Sequence, residues 1–122
     1  MANQAPSILS ISYDESLLRT REWLLRASGF TVTSALGFTE AAALCRNRGF
    51  DLVIVGHSIP RQDRTALIEA VRRHNHTRIL SLRRQGEELI SGVDHWVESS
   101  EGPDVLIAAV KAALRKESES EG

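Results

Sequence analysis

The chain is poor in several things that would narrow its function. It has one cysteine in 122 residues, Cys45, so no internal disulfide can form. Cys45 falls in an Ala-Ala-Leu-Cys helical run and reads as a small buried apolar residue rather than a reactive thiol. No apolar run approaches the roughly 18 residues that cross a bilayer. The start, Met-Ala-Asn-Gln-Ala-Pro-Ser, has neither basic residues nor an apolar stretch, so it does not read as a secretion signal and the cytoplasm is the expected compartment. Aromatic residues make up only 5% and the pI is near 6.4, which argues against the basic, stacking surface of a nucleic-acid binder. There is no internal repeat and no linker.

What is present is an ordinary globular composition, 42% apolar and 25% charged. A chain of this length makes one domain and buries about two thirds of its unfolded surface, enough for a core without staples. The expected boundaries are a loose lead-in over residues 1–6, one domain over 7–116 and a disordered acidic tail over 117–122. Net charge is −1 but uneven: residues 60–84 carry seven Arg against Asp63 and Glu69, and residues 85–122 carry nine acids against three bases. His74 and His76 sit at i, i+2, poor spacing for sharing a metal, with no acid or Cys placed to help. No metal site and no cofactor is expected.

Periodicity predicts strand–helix alternation. Ser7–Ser12 leans to strand. Asp14 or Ser16 can cap a helix carrying Leu17, Leu18, Trp23, Leu24 and Leu25 at helical spacing, with Gly29 as its stop. Phe30–Ser34 alternates as a strand, and Thr39 with Ala41–Arg48 reads as a helix. Asp51–Val55 is the near-continuous apolar run of a strand buried on both faces. Asp63–His74 reads as a helix, Ile79–Leu82 and Val93–Val97 as strands, and Asp104–Arg115 as a helix. Residues 83–92 have room for one helical turn at most. Such alternation predicts a doubly wound parallel sheet, with function sought outside the carboxyl ends of its strands.

From Ile8 to Leu114 the chain resembles the response regulator receiver (CheY-like) domain. The features that carry this are the Ile-Leu start, Gly29-Phe30, Asp51-Leu52-Val53 with Pro60 and Asp63, Gly92-Val93-Asp94 before an aromatic, and a closing amphipathic helix. The resemblance implies a five-stranded parallel sheet of order 2-1-3-4-5 in the flavodoxin-like class, with the helix between strands 4 and 5 shortened or absent. It also implies five polar groups for phosphoryl transfer: an acidic pair holding Mg²⁺, an acceptor Asp, a Thr or Ser, and a Lys followed by cis-Pro. Here those positions hold Ser12 and Tyr13, Gly56, Arg83, and Ser99 followed by Ser100, so all five groups are replaced. A one-residue slip of the first strand would bring Asp14 into the site, and a slip of the fourth would bring Ser81; neither restores the acceptor.

The resemblance therefore implies a stand-alone, non-enzymatic pseudo-receiver. It would act by protein–protein interaction in bacterial two-component or phosphorelay-type signalling. Trp96 matches the receivers' switch aromatic and marks an output face that serves a partner protein or a homodimer. Arg61, Arg64, Arg83 and Arg84 fall on loops at the carboxyl rim, where guanidinium groups suit an anion or an acidic partner segment. Three alternatives stand beside this: an anion- or nucleotide-sensing module using that rim, a nucleic-acid binder using the basic stretch from Arg72 to Arg84, and a small Ser hydrolase using Ser58. The last rests on Gly56-His57-Ser58-Ile59-Pro60, which resembles a Gly-x-Ser-x-Gly elbow but puts Pro where the following helix needs Gly.

Overall fold

The computed structural model describes residues 5–74, 77–84, 86–87, 92–98 and 102–121. Five strands alternate with four helices: β1 Ser7–Ser12, α1 Glu15–Ala27, β2 Thr31–Leu36, α2 Phe38–Asn47, β3 Leu52–Val55, α3 Arg61–His74, β4 Arg78–Arg83, β5 His95–Glu98 and α4 Pro103–Glu121. All strand pairs are parallel, as the alternation predicts, and the sheet order is β2-β1-β3-β4-β5, the flavodoxin- or CheY-like arrangement that the resemblance implies. Between β4 and β5 no helix occurs among the described residues.

Side chains of successive strand residues point to opposite faces, and both faces are covered. Leu9, Ile11, Val53, Val55 and Ile79 pack with α2 and α3 through Ala41, Cys45, Leu67, Ile68 and Val71. Ile8, Leu52, Ile54, Leu80 and Leu82 pack with α1 and α4 through Leu25, Leu106, Val110 and Ala113. Ser12 and Gly56 share the parity of this second set, so the ends of β1 and β3 face α1 and α4.

Local signals set most boundaries. Asp14 is extended and its Oδ1 accepts the Leu17 N–H at 3.1 Å, capping α1. Gly29, with φ 98°, turns the chain after α1, a conformation that side chains with a Cβ disfavour. Two expectations change. Helix α3 starts at Arg61, directly after Pro60, so Arg61 and Arg64 lie on its first turn rather than on a loop. Helix α4 runs to Glu121, past Arg115 where the sequence reading ends it. Glu and Lys are good helix formers and neither Pro nor Gly intervenes before Gly122. Trp23, although at helical spacing with the apolar residues of α1, lies on the outer face and is 70% exposed.

Candidate functional site

At the carboxyl edge of the sheet, Ile11 pairs with Val55, which sets Ser12 beside Gly56. The Gly56 N–H donates to the Ile11 carbonyl at 3.0 Å. Ser12 Oγ and Ser58 Oγ share a hydrogen bond of 3.0 Å; the Asp14 N–H donates to Ser12 Oγ and the Tyr13 N–H to Ser58 Oγ. The end of β1 is thus tied to the loop after β3 by neutral hydroxyls. The Tyr13 hydroxyl donates to Asp63 at 2.9 Å; burial and that carboxylate push its pKa up to about 12. The register sets Ser12, not Asp14, next to Gly56, and Ser81 sits inside β4 opposite Val55 rather than at the strand end.

The residue that faces Gly56 is Arg21 of α1. Its Nη1 lies 2.9 Å from where a Cβ on Gly56 would stand, and the Ile11 carbonyl oxygen is equally close. Arg21 is only 6% exposed, and Nη1 has no hydrogen-bond partner among the described residues. Burial lowers its pKa, an effect that the Asp14 carboxylate partly offsets. A guanidinium remains charged under such a shift. His57, next along the chain from Gly56, has its pKa lowered by burial first and then by the charges of Arg21 and Arg84.

The rim arginines are disposed differently from the sequence expectation. Arg64 is 2% exposed and its Nη2 meets Glu87 at 2.5 Å. The Arg84 N–H also donates to the Glu87 carboxylate, and Arg83 Nη1 donates to the Glu87 backbone carbonyl. Glu87 thereby ties three arginines together, and the Arg64 hydrogen bond is the main cause of its lowered pKa. Arg83 does not fold across the space above Gly56. Strand alternation places it on the other face of the sheet from Leu82, where it lies 4.4 Å over the Trp96 ring and 3.4 Å from Glu98. No helix is described between β4 and β5, and the Trp96 ring, 47% exposed, is open to it. Arg84 Nε donates to His57 Nδ1 at 3.4 Å. The basic stretch is likewise engaged: Arg72 donates to the Thr77 and Gly92 carbonyls and pairs with Asp94. Ser58 has hydroxyl and amide neighbours, and Asp94 is committed to Arg72 and the Ile79 N–H, so the elements of a Ser hydrolase are not brought together. Ser99 and Ser100 lie outside the described residues.

No protein-family model matches the chain. Protein PetR of Rhodobacter capsulatus is 26% identical over 122 residues, an alignment that takes in 95% of this chain and 52% of PetR, so the chain spans about half the length of that relative. Solved structures match along their whole length. A CheY-like receiver domain protein from Methanospirillum hungatei superposes with a TM-score of 0.82 at 22% identity, covering 98% of this chain and 100% of that one. The chemotaxis protein CheY4 of Vibrio cholerae gives 0.77 at 22% identity, covering 92% and 100%. A putative response regulator from Chloroflexus aurantiacus gives 0.78 at 26% identity, covering 92% and 99%. The fold is that of CheY-like receiver domains.

In a receiver this edge would hold Mg²⁺ through carboxylates, since hard cations take oxygen ligands of high charge. Here Ser12 and Ser58 offer hydroxyls already bonded to each other, and a buried cation lies over Gly56. These residues do not fit a divalent cation. Sequence reasoning passed over Arg21 and Glu87. Arg21 did leave a signal: Leu18, Arg21 and Leu25 stand at i, i+3 and i+7, so a charge sits on the buried stripe of α1. Glu87 left none, because pairing it with Arg64 depends on how the β4–β5 segment folds back on α3.

Proposed function

We propose that the chain is a pseudo-receiver: a receiver-type signalling domain that works in the cytoplasm by protein–protein interaction and without aspartyl phosphorylation. The observation that carries this reading is Arg21 over Gly56. The acceptor position has no side chain, and the room an aspartate would need is taken by a guanidinium whose Nη1 stands 2.9 Å from the Cβ position. Phosphoryl transfer to a receiver needs a nucleophile and a metal to neutralise the developing charge; neither has its residues here. The receiver fold itself supports a role in signalling.

Recognition then falls to surfaces. On β5, Trp96 is 47% exposed, with Arg83 stacked on it. Aromatic and Arg side chains of this kind dominate interface energies, so this is the face proposed for a partner protein or a second copy. Incubation with acetyl phosphate and Mg²⁺, followed by intact-mass spectrometry, is expected to leave the mass unchanged. A stable adduct of one phosphoryl group would overturn the reading. The same addition of Mg²⁺ alone is expected to leave amide resonances at Ser12 and Gly56 where they are.

A further inference from the structure

Arg21 also lines a cleft of about 200 Å³ between α1, the carboxyl ends of β4 and β5, and the start of α4. The walls are apolar: Leu17, Leu24, Leu82, Val97 and Leu106. Their polar exceptions are Thr20, Arg21, His57 and Glu98, together with the backbone at Gly102 and Pro103. A buried polar group is ordinarily hydrogen-bonded, and a buried charge is ordinarily paired. Arg21 departs from the first rule, since Nη1 is sealed from solvent with no partner among the described residues. The Asp14 carboxylate favours its charge but does not bond Nη1. Asp14 is spent on the cap of α1, and Glu98 lies within reach of Arg83 at 3.4 Å.

We propose that this cleft binds a small organic carboxylate with an apolar body, the carboxylate meeting Arg21 and the body lying among the leucines. Three features select that class. The cation is a guanidinium, whose planar fork matches a carboxylate. Helix α4 begins at the cleft, at Gly102-Pro103-Asp104, and a helix N-terminus favours an anion. The volume is of the order that holds a benzene-sized body, since an apolar cavity of about 150 Å³ does so. Inorganic phosphate would satisfy the charge and leave the apolar walls bare. His57 adds a donor: its Nδ1 accepts from Arg84, which leaves the ring proton on Nε2. In regulatory terms the ligand would be the input that replaces phosphorylation. That role rests on the pseudo-receiver reading, whereas the binding does not.

The test is a titration of the ¹⁵N-labelled protein with phenylacetate, and in separate arms with phenylethanol and inorganic phosphate. Saturable shifts at Gly56, Leu82, Val97 and Gly102 are expected with phenylacetate. Phenylethanol and phosphate are each expected to bind at least about tenfold more weakly, a loss of roughly 1.4 kcal/mol. Arg21→Met is expected to cost phenylacetate at least tenfold, and Arg46→Ala, on α2 and outside the cleft lining, to cost nothing. Should Arg21→Met fail to fold, Leu24→Phe narrows the cleft without touching the cation and is expected to weaken binding by a similar factor. Absence of saturable shifts, equal binding of phosphate, or full binding by Arg21→Met with its fold intact would each overturn the proposal. An adduct after acetyl phosphate treatment together with phenylacetate binding would remove only the regulatory role.

Discussion

Arg21 is held at a cost that the Asp14 carboxylate offsets only in part, and its Nη1 has no hydrogen-bond partner among the described residues. Desolvating a charge is expensive, and replacing buried ionic groups by apolar side chains of similar volume often stabilises a protein. Arg21→Met is therefore expected to raise stability by about 1–2 kcal/mol, read from urea unfolding monitored by circular dichroism. A decrease would mean that the guanidinium serves packing. At Gly56 the opposite sign is expected. A Cβ there would stand 2.9 Å from both Arg21 Nη1 and the Ile11 carbonyl oxygen, and the backbone oxygen cannot swing away as a side chain can. Gly56→Ala is expected to cost about 1–2 kcal/mol, overpacking less the small gain from a stiffer unfolded chain. Gly56→Asp meets the same clash but gives Arg21 a partner. Its loss is expected to be smaller than that of the alanine variant, and equal losses in the two would show that Arg21 gains nothing from a carboxylate.

Among the described residues at and after the end of β4, Glu87 ties to α3 through Arg64 and Arg83 lies against β5 through Trp96. Glu87→Ala strands Arg64, which is almost wholly buried, and is expected to cost about 2 kcal/mol, less than for a fully buried pair because water reaches the acid. The backbone carbonyl that accepts from Arg83 Nη1 is kept in that variant, so the fluorescence of Trp96 is expected to stay where it is, read in a Trp23→Phe background. The pH dependence has a defined sign. The folded state holds the Glu87 pKa below its ordinary 4.5, so the unfolded chain binds more protons in the acid range. The stability from this pair is present above about pH 4.5 and is lost as pH falls through the folded value, and Glu87→Ala is expected to flatten that part of the stability curve. Summed by segments, Glu87 belongs to an acidic block and Arg64 to a basic one. Their meeting is a fact of the fold, and so the rim looked more cationic in the sequence than it is.

At the scale of the molecule, the fold was legible because each element carried its own period. The apolar run Leu52–Val55, the alternation on β1 and the stripes on α1 and α4 each point to one layer order, and local and global preferences agree. That Ser12, Tyr13 and Gly56 come at the carboxyl ends of β1 and β3 could be read from the strand pattern. What faces Gly56 could not. Arg21 lies 35 residues from Gly56, and a long side chain reaches its destination only in three dimensions. That placement has an evolutionary consequence. If the chain is a pseudo-receiver, as proposed, a lineage could not gain a phosphorylated descendant by placing an aspartate at Gly56 alone. It would also have to unseat Arg21, move the Ile11 backbone and rebuild two acids at Ser12 and Tyr13, with no benefit until the set was complete. On the proposed pseudo-receiver reading the arginine would act as a ratchet: while it sits against Gly56, no single substitution opens the way to a chemical switch.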